Sequence, residues 1–117
     1  MRALLRHTLE EDGFVVVEAS DGAELLQLMA AQGGNEVVVV TDVRMPSFSG
    51  LGVLRVLRQA EWMGPVILIT VDPTPAVVSD AAQWGAVLFC KPFDIDDLRT
   101  AVANAAHLRW SNTARGK

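Results

Sequence analysis

Three short apolar runs constrain what this chain can fold into. "EVVVVTD" (36–42), "PVILIT" (65–70) and "AVLFC" (86–90) are rich in Val, Ile and Leu and end on polar residues. In the first two, near-continuous apolar character is the pattern of strands buried on both faces, as in a parallel sheet covered by helices, and the third reads as a further strand. A fourth run, "FVVVEA" (14–19), is a strand candidate for its β-branched content. Between the runs the spacing turns helical. "MRALLRHTLEED" sets Leu4, Leu5, Thr8 and Leu9 on one face, and Gly13 stops it. "SDGAELLQLMAAQGG" opens on Ser20 and Asp21 as caps with Glu24 in the first turn. "SGLGVLRVLRQA" places Leu51, Leu54 and Leu57 inward, with Arg55 and Arg58 outward. "TPAVVSDAAQWG" carries Pro75 in its first turn, and "DIDDLRTAVANAAHL" gathers three aspartates at the positive end of a helix dipole. The order α β α β α β α β α predicts a doubly wound α/β fold with a mostly parallel sheet.

The chain has 117 residues, the size of one domain, and half of them are hydrophobic, enough for a real core. The net charge of −4 argues against non-specific nucleic-acid binding, which needs a basic footprint. A single cysteine, Cys90, excludes an internal disulfide and points to a reducing compartment. No run is long enough to cross a bilayer, and the opening residues lack the apolar core of a signal peptide, so a cytoplasmic location is expected.

In open parallel sheets, sites form outside the carboxyl ends of the strands. Here those ends carry Thr41-Asp42, Thr70 and Cys90-Lys91-Pro92. A carboxylate, a hydroxyl and an ammonium on one edge suit a phosphoryl group. The carboxylate acts as nucleophile, the amine neutralises phosphoryl oxygens and the hydroxyl donates a hydrogen bond. Singly, each residue has a plainer reading: an acid at a strand end is a turn former, a threonine a strand residue, a lysine a solvated charge. Their conjunction favours the chemical one.

These segments resemble the receiver domain of bacterial two-component response regulators. The resemblance rests on Asp42 followed by "VRMP", a glycine at position 50, a threonine at position 70, and "KPF" from Lys91, and it spans residues 1 to 106. It implies a flavodoxin-like sheet of order 2-1-3-4-5. By the resemblance Asp42 would accept a phosphoryl group from a sensor histidine kinase, Thr70 would be the switch hydroxyl and Lys91 would contact the phosphoryl group. A cis peptide is expected before Pro92, and the backbone carbonyl of Arg44 is expected to join Asp42 in binding Mg2+. The phosphorylated form would shift between two conformations. It would control a downstream effector or self-association through the last two helices, and no direct contact to nucleic acid or membrane and no enzymatic turnover is expected.

The chain also departs from that pattern. The family's first strand and its acidic pair have no counterpart, since Met1 already opens a helix. Residues 1–108 read as an N-terminally truncated receiver domain and 109–117 as a polar tail. The missing strand is the central one, and Mg2+ left with one acid and one carbonyl should bind weakly. Val71 stands where the family has a small residue. Leu88, with Phe89 beside it, occupies the place of the switch aromatic, and the segment from Gly85 to Lys91 is one residue short. Two rivals follow. A haloacid-dehalogenase-type enzyme needs a second acid at position 44, which is Arg. A degenerate pseudo-receiver would be a phosphorylation-independent interaction module. Cys90 is expected as inert strand packing, His7 and His107 carry no ligand cluster, and Trp62, Trp84 and Trp110 are expected as partly exposed packing aromatics.

Overall fold

The computed structural model describes the backbone of residues 2–32, 37–44 and 49–115, and the side chains of 4–31, 37–44 and 49–106. Among the described residues, helices α1 (Arg2–Glu11) and α2 (Gly22–Gln32) precede strand β1 (Val39–Asp42), after which α3 (Gly50–Gln59), β2 (Val66–Thr70), α4 (Pro75–Gln83), β3 (Val87–Cys90) and α5 (Ile95–Arg115) alternate. The strands form one parallel sheet in the order β1-β2-β3.

Local chemistry sets the helix boundaries. Asp21 Oδ1 caps α2 by accepting from the Glu24 N–H at 2.8 Å, while Glu24 Oε1 reaches back to accept from the Ser20 N–H at 2.6 Å, one residue before the cap. Ser49 caps α3 by accepting from Gly52, and Thr74 caps α4 ahead of Pro75. Asp94 Oδ1 accepts from the Asp96 N–H at 2.9 Å at the head of α5. Gly13, at φ 96°, ends α1 in a conformation that a Cβ disfavours. The last helix continues in backbone to Arg115, beyond the point where the apolar pattern fades.

The sheet is covered on both faces, as its composition requires. Alternation along β2 sends Val66 and Leu68 to one side and Ile67 and Ile69 to the other. The first pair packs with Met29 of α2, Val53, Leu54 and Leu57 of α3 and Ala81 of α4. The second packs with Leu9 of α1 and Leu98 and Val102 of α5. All five residues of β2 are buried. Each fully buried aliphatic side chain contributes about 1.5–3 kcal/mol.

Four sequence expectations need correction. "FVVVEA" forms no ladder, although Phe14 and Val16 pack on the second core while Val15 and Val17 face solvent. Pairing needs a neighbour, and among the described residues no strand lies between this segment and β1, whose edge facing away from β2 pairs with no described strand. Val39 N donates to Pro65 and Val43 N to Ile69, so Val39, Thr41 and Val43 face β2. By parallel-ladder alternation, Val38, Val40 and Asp42 turn their backbone groups to the open side. Leu4, expected on the inner face of α1, is exposed; Leu5, Thr8 and Leu9 turn inward. Cys90, expected to be packed, is exposed at the end of edge strand β3.

Arg58 is the fourth correction: it is buried rather than outward. It donates to the carbonyls of Trp84 (2.7 Å), Trp62 (2.9 Å), Gly64 (2.9 Å) and Gly85 (3.3 Å), and lies over the Trp62 ring at 6.0 Å. The guanidinium fork ties the end of α3 to the turns that precede β2 and β3. Burial is tolerated because backbone acceptors replace water around the cation.

Candidate functional site

The site lies where β1, β2 and β3 end side by side. Register sets Asp42 beside Ile69 and Thr70 beside Cys90, so Asp42, Thr70 and Lys91 occupy adjoining strand ends. The Lys91 N–H donates to the Thr70 carbonyl at 2.8 Å, which extends the ladder by one bond and anchors the lysine. Its side chain then reaches over the end of β2 and places Nζ 3.3 Å from Asp42 Oδ1. The Asp42 side chain is about half exposed and that of Lys91 less so, which leaves the carboxylate open to an incoming group. The Lys91–Pro92 peptide is cis, as the resemblance implies.

Thr70 is buried at the same edge, with its hydroxyl engaged elsewhere. Oγ1 accepts from the Asp72 N–H at 3.1 Å and donates to the Asp72 carbonyl at 3.3 Å. The arrangement joins the strand ends of Asp42, Thr70 and Lys91, but only Asp42 and Lys91 have side chains in contact. Arg44, two residues beyond Asp42, reaches the same turn: its guanidinium stands 3.9 Å from Asp72 Oδ2. Met45–Phe48, which carry the Met-Pro turn, lie outside the described residues.

Asp72 was not legible as part of the site, and Gly50 was legible only as a residue of the motif, without its structural role. Asp72 shapes the turn that holds both Thr70 and Arg44; the only sequence signal was a turn-forming Asp before Pro73. Gly50 donates from its N–H to the Val43 carbonyl at 2.8 Å and brings the head of α3 under Asp42. A Cβ there would overlap the Asp42 carbonyl oxygen, so glycine is required by close approach.

Other sequence candidates lie elsewhere. His7 is exposed on α1, 3.6 Å from Glu11, and the side chains of His107 and Trp110 lie outside the described residues. Trp62 and Trp84 are half-buried against the first core, as expected. Phe89 packs edge-on against Phe93 at 5.7 Å between ring centres. Among the described residues no group of three or more acids, histidines or cysteines is placed to hold a metal ion. No described helix is long and apolar enough to cross a membrane.

Comparison with known proteins bears on this geometry. The profile of the response regulator receiver domain matches residues 1–103. The DNA-binding transcriptional regulator NtrC of Escherichia coli K12 is 33% identical over 106 residues, 90% of this chain and 22% of NtrC. The chain therefore spans about a fifth of that relative's length. The sporulation initiation phosphotransferase F of Bacillus subtilis is 26% identical over 103 residues, 87% of this chain and 82% of that protein. Among solved structures, the receiver domain of the Francisella response regulator 1452 superposes with a TM-score of 0.83 at 28% identity, covering 92% of this chain and 88% of that one. The Vibrio cholerae chemotaxis protein CheY4 gives a TM-score of 0.73 at 28% identity, covering 89% and 88%. Fold, strand-end chemistry and sequence agree: the chain belongs to the response regulator receiver domain family.

Proposed function

We propose that Asp42 is the phosphoacceptor of a two-component signalling module. The observation that carries this reading is the reach of Lys91 across the end of β2 to within 3.3 Å of Asp42 Oδ1. In the proposed step a carboxylate oxygen of Asp42 attacks the phosphorus of a phosphohistidine on a sensor kinase. The P–N bond breaks, and the leaving imidazole keeps the electron pair and takes a proton. Lys91 follows the charge onto the phosphoryl oxygens. Thr70 exchanges its backbone partners at Asp72 for a phosphoryl oxygen, and that exchange moves the turn into α4. The conformational shift then has a physical cause: the new anion has a differential affinity for the two turn positions.

Residues 1–108 make up the module in this reading, acting in the cytoplasm as a switch rather than a turnover catalyst. Its partners are a sensor histidine kinase and a downstream effector, or a second copy engaged through the last two helices. Receiver domains in general are phosphoacceptor modules that bind Mg2+ at an acidic pocket. The described donors of this chain do not fit that ion. Asp42 already faces an ammonium, the Arg44 carbonyl is the only other protein ligand expected, and no group of three or more acids, histidines or cysteines is gathered among the described residues, so the phosphoryl group and waters would have to supply the rest of the octahedron.

Intact mass after incubation with acetyl phosphate and Mg2+ tests the function. A gain of one phosphoryl group by the parent chain and none by Asp42→Asn is expected. No gain, or an equal gain in the variant, overturns the assignment in favour of a phosphorylation-independent interaction module.

A further inference from the structure

We infer that the Asp42 site of this chain takes a phosphate-class oxyanion on two side-chain cations, Lys91 and Arg44, with no divalent cation, and that Asp72 releases Arg44 to it. The inference rests on the reading of Asp42 as the phosphoacceptor and concerns what balances the charge there.

The donor chemistry comes first. Around Asp42 the described groups are mainly cationic or hydrogen-bond donors: Lys91 Nζ at 3.3 Å, the Arg44 guanidinium on the adjoining loop and the Thr70 hydroxyl at the next strand end. Mg2+ is held by one or two carboxylates and phosphate oxygens with waters completing its octahedron, and here the carboxylate at the strand end is already balanced by an ammonium, which makes it a poor ligand. A fork of N–H donors beside an ammonium is instead the equipment of an oxyanion site.

The second observation is the role of Asp72. It engages two of the prospective anion contacts at once. Its carboxylate stands 3.9 Å from Arg44, and its backbone occupies both hydrogen-bonding directions of Thr70 Oγ1. The ion pair is long and both side chains are largely exposed, so it holds little energy and yields easily. A phosphate group carries more charge and more acceptor oxygens than a carboxylate, so it outcompetes Asp72 for the guanidinium. Asp72 thereby acts as a placeholder for the anion on Arg44.

The test is an amide-resolved NMR titration of the 117-residue chain with inorganic phosphate in EDTA, and separately with MgCl2 in phosphate-free buffer. Phosphate should shift the Asp42, Arg44, Thr70, Asp72 and Lys91 amides saturably without metal, and equal Mg2+ should leave them in place. Arg44→Gln should weaken phosphate about three- to tenfold, and Asp72→Asn should tighten it about threefold. Saturable Mg2+ shifts at these amides, absence of phosphate shifts, or a phosphate affinity indifferent to both variants overturns the inference. The mass experiment separates the two readings. Phosphoryl gain together with Mg2+-dependent shifts sinks the inference and leaves the phosphoacceptor standing. Phosphate shifts in EDTA without any phosphoryl gain sink the phosphoacceptor and leave an anion site.

Discussion

Gly50 lies directly under Asp42: its N–H bonds to the Val43 carbonyl, and a methyl group in place of its hydrogen would overlap the Asp42 carbonyl oxygen. The head of α3 thus sets the height of Asp42 above the sheet. Gly50→Ala should force α3 and the loop apart at a cost of about 1–3 kcal/mol in urea denaturation. It should also slow phosphoryl gain at Asp42 under conditions where the variant is fully folded. A variant as stable and as reactive as the parent would show that this approach does not position the carboxylate.

Arg58 serves the opposite end of the strands. Replacing it by Met leaves carbonyls at Trp62, Gly64, Trp84 and Gly85 without their donor. Loss of about 2–3 kcal/mol is expected, since each buried acceptor left unmade is costly. Arg58→Lys should restore less than half of it, because one ammonium cannot serve carbonyls on both turns as a planar fork does. Phosphoryl gain per folded molecule should be unchanged, the site being at the carboxyl ends. Full rescue by lysine would show that charge alone, not the fork, holds the turns.

Arg99 of α5 clasps Asp12 at the end of α1, with Nε 3.0 Å from Oδ2 and a second contact from the same guanidinium. The hydrogen bonds from Arg99 hold the Asp12 carboxyl below its usual range. Because the folded pKa is the lower one, this stabilisation is complete above the unfolded value of about 4 and is lost as pH falls through the folded pKa. Arg99→Gln should lower the thermal midpoint at neutral pH, and the gap to the parent should close as the pH falls below the unfolded value and through the lowered folded one. A gap that stays constant over that range would remove the ion pair as its cause.

The open edge of β1 has a direct readout in hydrogen exchange. Val39 and Thr41 direct their amides at β2, and Val40 directs its amide away from it. Val40 should exchange at least about 100-fold faster than its two neighbours, as an amide outside the ladder does. Equal protection across the three would mean that something covers this edge in solution.

Much of this was written locally in the sequence. Apolar runs named the strands β1, β2 and β3, because a strand packed in a sheet core carries few polar residues, although only β2 is buried throughout and β3 is part-exposed. Ser20, Asp21, Pro75 and the aspartates that open α5 marked helix starts, because helix ends are set within a few residues along the chain. Asp42, Thr70 and Lys91 were legible because parallel strands deliver their last residues to one edge. What depended on distant partners was not. "FVVVEA" has strand composition but pairs with nothing described, since a ladder is a property of two segments. Arg58 has the helical spacing of an outward cation, yet carbonyls 26 and 27 residues away satisfy it inside. The hold of Asp72 on Thr70 and Arg44 likewise exists only once two loops meet above the sheet. Periodicity and capping are short-range and survive in the sequence; satisfying a buried charge or an unpaired edge is long-range, and only the tertiary structure decided it.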